Sequence, residues 1–458
     1  MNQELWQKIE AFDLDAPSGE YGFSIRLAKE NYWTKNFTTK AITEYKKFMY
    51  LAATSDQMVS PSPIIDAVWH QHLIFTQSYQ AFCDKIGKQI QHVPSTHNPS
   101  EFEKFKQAKE RTAKLYESEF GHQPQSIWGF HDMYESLNLE KSNLKIRAFL
   151  VMGILAVIFL TIPFYYALKP VYVNIDNPDF LIGLIGLIIA VAISLELFNV
   201  KKQKEITSRF NRDSFVFNLS PVELIYLKTQ RLPDAINSIL NEFIVNKTIV
   251  INHDNSIHLV KNKPVKETEH AQIINYLNDF EKVPYPYLMK VLTSKAIFRN
   301  IENCMDAFKK YCNKSKAFAK IFYINFGVLS FMLLLTFTRF ATGVSRNRPI
   351  LFIGLLTVFL IVFMVYFLNR LTKQISVKTI PELYHEEILT KKDIQENWQW
   401  QYFLLGYTVL TPSFVPLVDD YKKNHPDGYS GGTSCGSGCG SSCGGGGCGG
   451  GCGGCGGS

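Results

Sequence analysis

Acidic residues are almost missing from the four longest apolar stretches of this 458-residue chain. Residues 148–168, 180–200, 321–338 and 349–368 hold one carboxylate, Glu196, and it lies near an end. A soluble helix of this length normally keeps a polar face. Each stretch has about the 17–25 apolar residues that cross a hydrocarbon core of roughly 30 Å. The pattern excludes a wholly soluble protein and predicts four spans in two hairpins. A secretory leader is also missing: the first 15 residues read as an amphipathic helix with Glu4, Glu10 and Asp13, without a basic start and an apolar centre. The amino-terminal region is therefore expected in the cytoplasm. Outside the last 24 residues only Cys83, Cys304 and Cys312 occur, so there is no disulfide framework. No P-loop and no His-Glu-x-x-His is present, which leaves an enzyme without support. Met152, Met332 and Met364 are isolated within the spans, which argues against a metal-transport path.

Charge is uneven along the chain. Residues 1–147 carry 17 Lys and Arg against 18 Asp and Glu, whereas residues 201–320 carry 20 against 12. Basic segments beside spans usually face the cytoplasm and attract anionic lipid. Lys141, Lys145 and Arg147 before the first span, and Lys201, Lys202 and Lys204 after the second, predict an inside start and an inside return. Arg339, Arg346 and Arg348 in the second turn pull the other way. Both termini inside is the expected topology, and the second hairpin is its weak point.

Residues 1–139 read as an all-helical domain, with helices expected at 3–12, 22–33, 39–53, 63–86 and 99–120. Ser62-Pro63 and Asn98-Pro99 each place an N-cap before a first-turn proline. Along 63–86, Ile65, Val68, Trp69, His72, Phe75, Tyr79, Phe82 and Ile86 share one helical face. His70 lies off that face and shares another with Asp66, one turn earlier. His92 and His97 follow the helix. The series Asp66-x-x-Trp69-His70-x-His72-Leu73, with Tyr79, Cys83, Gly87 and His92, then Thr112, Tyr116, Phe120-Gly121 and Trp128, resembles the glycine-rich domain proteins. The resemblance brings no catalytic role for the histidines. Two readings stand: His72 as a hydrogen-bonded core residue, and a metal site drawn from His70, His72 and His92.

Residues 205–317 form the second soluble domain. Ser220-Pro221-Val222-Glu223 is an N-cap, a first-turn proline and a capping-box acid in order. Helices at 221–228 and 233–245 and strands at 248–251 and 256–260 give a winged-helix-like order. Further helices are expected at 266–280 and 286–312. The second helix has Asp234 and Glu242 and no cation before residue 247, unlike a helix that reads nucleic acid. A packing or protein-binding module fits better. Leu219-Ser220-Pro221-x-Glu223-Leu224-x-Tyr226-Leu227 resembles a family of bacterial membrane proteins with a Gly/Cys-rich tail, which implies the bacterial inner membrane. That family carries Gly-Gly where Lys228-Thr229-Gln230 stands here.

Residues 377–426 are a juxtamembrane segment in which Trp398, Trp400 and Tyr402 suit an interfacial or docked helix. Residues 427–458 are nearly all Gly, Ser and Cys and cannot bury a core. Cys435, Cys439, Cys443, Cys448, Cys452 and Cys455 could hold Zn²⁺ or Cu⁺, be modified, or sit idle in a tether. The expected protein is mainly α: a multi-pass membrane-anchored binding or scaffold protein that meets lipid and a protein partner, with metal handling by the tail as the alternative.

Overall fold

The structure is a computed structural model and describes residues 1–16, 19–93, 101–260, 267–388 and 397–425, with 454–456 as backbone. The chain divides into two units. One gathers Met1–Ser136, Asn211–Ala307 and Tyr384–Ser458; the other gathers Leu137–Phe210 and Phe308–Leu383. Helices dominate both.

The first unit begins with α1 (Gln3–Glu10), α2 (Phe23–Asn31), α3 (Lys35–Thr54), α4 (Pro63–Ile74), α5 (Thr76–Ile86), α6 (Phe102–Phe120) and the short α7 (Gln125–Trp128), of which α1, α2, α4 and α6 pack on α3. Thr34 caps α3, four residues earlier than expected: its Oγ1 accepts from Phe37 N at 3.3 Å. Ser62 caps α4 as expected, its Oγ accepting from Ile65 N at 3.2 Å. The helix expected over 63–86 is two helices. Phe75 leaves helical geometry at φ −87°, ψ 64°, and its ring turns edge-on to Phe23, 5.7 Å away. The buried face survives the break, because Ile65, Val68, Trp69, His72, Tyr79, Phe82 and Ile86 are all buried. Asn98 and Pro99 lie outside the described residues.

Several motif residues hold this bundle together. Glu44, buried on α3, accepts from Tyr116 Oη at 2.7 Å and from Trp128 Nε1 at 2.8 Å. Thr112 Oγ1 accepts from Ser60 N at 2.8 Å. His72 sits at zero exposure among Phe12, Phe23, Tyr79 and Phe82. Its Nδ1 is 2.8 Å from Tyr45 Oη and its Nε2 3.2 Å from Ser78 Oγ.

The middle segment adds α10 (Pro221–Thr229), α11 (Leu232–Val245), β2 (Ile249–Ile251), β3 (Ser256–Leu259), α12 (Thr268–Asn278), β4 (Val283–Pro284), α13 (Tyr285–Ser294) and α14 (Ala296–Asn313). The strands form one antiparallel sheet in the order β2-β3-β4. The capping box at Ser220 and Glu223 is formed. After α10, Gln230 takes φ +56°, the left-handed conformation glycine adopts most readily. The helix expected over 286–312 breaks at Lys295, which is extended and pairs with Glu20 at 3.2 Å. α18 (Trp398–Leu405) is too short to cross a bilayer. With α19 (Val415–Asn424) it docks on the same unit. Phe403, Phe414 and Val418 are buried, Lys228 Nζ donates to Phe403 O at 2.7 Å, and Thr411 N donates to Asn241 Oδ1 at 2.9 Å.

The second unit holds four helices long and apolar enough to span a membrane: α8 (Ile146–Tyr172), α9 (Asn177–Thr207), α15 (Lys316–Ser345) and α16 (Leu351–Gln374). α8, α9 and α15 run past the expected boundaries at both ends, whereas α16 starts two residues later than expected and ends six later. Beyond α16 the chain continues through two π-helical turns flanking the short α17 (Ile380–Leu383). α15 packs against α8, α9 and α16. Leu184, Ile188, Met332, Ile353 and Leu360 form its apolar centre. Polar side chains pair with one another: Asn199 and Asn325 exchange amide bonds at 3.0 and 2.7 Å, and Arg370 grips Glu196 at 2.7 and 3.1 Å. The arginines of the second turn are engaged too. Arg339, nearly buried, donates to the carbonyls of Tyr172 and Ile175, and Arg346 donates to Val173 O at 3.3 Å. They complete the carbonyl end of α8, where the helix dipole favours a cation.

His72 gives the fold a test. Burial pushes its imidazole down from the usual 6.5 to about 4, a cost that the contact with Ser78 only partly offsets. Between those values the unfolded chain binds the extra proton, so this stabilisation is present above pH 6.5 and is lost as pH falls toward 4. The limb is worth up to about 1.4 kcal/mol per pH unit. In the full chain in detergent, His72→Ala should cost about 1–3 kcal/mol through a cavity and stranded partners. The exposed His70→Ala should cost about 0.5 kcal/mol or less. Thermal melts from pH 7 to 4 should show that His72→Gln flattens the acid limb. Parallel wild-type and mutant curves would rule out this account of His72.

Candidate metal centre

The Ser62 cap and Pro63 fix where α4 begins, and that sets which residues stack on its outer face. Asp66 and His70, at i and i+4, meet there. The third residue arrives from a different element. Gly87, at φ +72°, ends α5 and turns the chain. Lys88 Nζ ties that turn to the carbonyls of Ala52 and Ser55 at 3.1 and 3.0 Å. Trp69 Nε1 donates to Tyr79 Oη at 3.2 Å, and Tyr79 Oη donates to Ile90 O. This chain of bonds lays β1 (Gln91–Val93) beside α4 and sets the His92 ring edge-on to Trp69, with centroids 4.4 Å apart.

His92 Nε2 then lies 3.0 Å from Asp66 Oδ1 and 3.0 Å from His70 Nε2, while His70 Nε2 is 3.8 Å from Asp66 Oδ2. The three donor atoms lie within 4.8 Å of one another. A tetrahedral ion with bonds of about 2.0 Å sets its ligand atoms about 3.3 Å apart, so the spacing suits a transition-metal ion. Protons alone serve the cluster poorly. His92 Nε2 carries either a proton or a lone pair. With a proton it can give Asp66 a full bond but has no lone pair to accept from His70. With a lone pair it can accept from His70 but faces the Asp66 carboxylate unfavourably. A cation lets all three lone pairs point inward. His92 and Asp66 are largely covered, and His70 is 57% exposed, which leaves the outer side of the cluster open.

The structure brings together two of the three sequence-proposed histidines, His70 and His92. His72 is a correction: both its ring nitrogens face core hydroxyls, and it is not part of the cluster. Asp66 joins the two histidines in the cluster, and its one-turn spacing from His70 was the signal for it in the sequence. Cys435, Cys439, Cys443, Cys448 and Cys452 lie outside the described residues. Cys455 falls in β5 (Gly454–Gly456), whose backbone pairs with β1. Cys83 and Cys304 are buried, and burial pushes both thiols up, so neither is poised as a thiolate ligand.

The model of a family described as UCP032817-like matches residues 23–115, a stretch that includes Asp66, His70 and His92. No curated protein and no solved structure matches the chain.

Proposed function

We propose that this multi-pass protein is a membrane-anchored binding protein whose amino-terminal helices hold a divalent transition-metal ion through Asp66, His70 and His92. The observation that carries this reading is the convergence of Asp66 Oδ and two imidazole Nε2 atoms on one point. Two imidazoles and a carboxylate suit Zn²⁺, and three protein ligands leave a coordination position for water or a partner's side chain. No catalytic step is assigned. The Gly/Cys tail remains a second place for Zn²⁺ or Cu⁺, or for thiol modification, on its composition alone.

The same proposal takes the amino-terminal region as a relative of the glycine-rich domain proteins and the rest as a bacterial inner-membrane relative with a thiol tail. It takes residues 205–317 as a winged-helix-like module that binds protein. Burial of Asp234, Asn237, Ser238 and Asn241 on α11 supports packing over nucleic-acid reading. Tyr285 Oη donates to Asn237 at 2.7 Å, and Asn241 receives the amide of Thr411, so those polar groups are already engaged. Both termini are placed in the cytoplasm. Support comes from the first unit itself: its three segments are separated by two hairpins, so each hairpin must return to the side it left.

Two measurements test this. In the full chain with its six tail cysteines changed to serine, about one Zn²⁺ per chain should bind at micromolar metal, and His70→Ala or His92→Ala should weaken binding at least about tenfold, while His72→Gln leaves it in place. No uptake, or uptake indifferent to both alanine variants, refutes the site. For topology, in the same six-serine background, a membrane-impermeant maleimide should label Asn174→Cys on intact cells and spare Asp254→Cys until lysis. Labelling of the latter from outside would reverse the assignment.

A further inference from the structure

The carboxyl-terminal end of α9 and the amino-terminal end of α15 enclose a cleft that the candidate metal centre does not use. It has a volume of ≈ 420 Å³. Its inner wall is apolar: Phe198 and Ile206 from α9, Ile321 and Ile324 from α15. Its rim is basic: Lys202 from α9, Arg209 just past the end of α9, and Lys316 and Lys320 from α15, against two acids, Glu140 and Glu205. Both acids already hold a lysine. Lys202 Nζ is 2.7 Å from Glu205, and Lys316 Nζ is 3.1 Å from Glu140. Arg209 and Lys320 are exposed and have no ion-pair partner among the described residues.

The placement of these residues along the helices follows the bilayer. Phe198 precedes Lys202 by four residues, and Ile324 follows Lys320 by four, so on each helix an apolar position and a cation lie one turn, about 5.4 Å, apart on one face. Phe198, Ile321 and Ile324 belong to the apolar runs, and the cations begin just beyond them. The helices run in opposite directions, so both place their cations at the same end of the bundle. An apolar wall beside a rim that holds more cations than acids is the chemistry of an anionic lipid.

We propose that this cleft binds the headgroup of an anionic phospholipid, with Arg209 and Lys320 on the phosphate and an acyl chain along Phe198 and Ile324. Basic pockets between membrane helices recognise lipid headgroups in this way. Recognition is by charge at the rim and by apolar contact below, so neither a free phosphate nor a zwitterionic lipid satisfies both walls.

The test uses the full chain in a neutral detergent, with native mass spectrometry of lipid adducts. Phosphatidylglycerol should be retained over phosphatidylcholine of the same chains, and added salt should reduce that retention in the wild type. The double variant Arg209→Gln with Lys320→Gln should lose retention by about tenfold or more, whereas Lys104→Gln with Lys109→Gln, on α6, leaves it unchanged. Glycerol phosphate at the same concentration should neither bind nor compete. Equal retention of both lipids, equal loss in the two double variants, or competition by glycerol phosphate would each overturn the proposal, the last by showing a soluble anion site. Because the salt response is read on the wild type, the outcome stands even if a variant is poorly folded.

Discussion

One buried carboxylate fastens segments that the membrane hairpins keep far apart in sequence. Glu223 Oε2 accepts from Ser220 N at 2.8 Å, and Glu223 Oε1 accepts from Lys35 N at 2.9 Å. It therefore caps α10 and supplies a partner at the start of α3, with 188 residues and a membrane hairpin between the two. Burial pushes its carboxyl up, and the two amide donors work against that shift. Lys35 adds a second tie through Glu269 at 2.6 Å. Removing such an acceptor leaves buried amides unpaired, which costs more than an ordinary hydrogen bond contributes. Residues 1–136 and 211–307 thereby share one capped core.

The same rule, that each backbone group near lipid needs a partner, explains the second turn. Read as loop charges, Arg339, Arg346 and Arg348 argue for a cytoplasmic turn. Arg339 and Arg346 instead serve as donors to carbonyls at and just past the end of α8, those of Tyr172, Val173 and Ile175. A cation bound to helix-end carbonyls balances a partial negative charge and no longer counts as a free loop charge. The charge-counting rule has no means of knowing this, because the acceptors lie more than 160 residues earlier.

Local chemistry was the readable part of the chain. Apolar length identified the four spans, and Ser-Pro or Ser-Pro-x-Glu identified the starts of α4 and α10. The short β-prone stretches 248–251 and 256–260 identified β2 and β3. Tertiary chemistry was not readable. Phe75 and Lys295 break helices without glycine or proline, because one ring packs against Phe23 and one ammonium reaches Glu20. Asp66 and His70 were one turn apart on paper, but His92 reaches them only through the path Gly87, Tyr79 and Ile90. Of the aromatic residues that suited α18 to an interface or a dock, Tyr402 is buried, with Phe403, where α18 packs on α10 and α11.

Polar residues in unexpected places are therefore weak evidence of function until their partners are counted. His72 was open to a metal reading as well as a core one in the sequence, and it faces two core hydroxyls; much of the polar side of α11 is likewise spent inside the fold. His270 follows the same rule. Burial alone would lower its basicity, but Glu242 and Glu267 outweigh burial and raise it to about 9, so it is a charged structural tie within the first unit. Its contribution is complete below pH 6.5 and fades as pH rises toward 9, opposite in sign to that of His72. Two places resist this accounting. At His92 one nitrogen has two neighbours at 3.0 Å and cannot serve both with one proton. At the ends of α9 and α15, four cations face two acids. An imbalance that the chain does not resolve internally is one that a ligand can resolve, and that is why the metal centre and the basic cleft carry the functional argument.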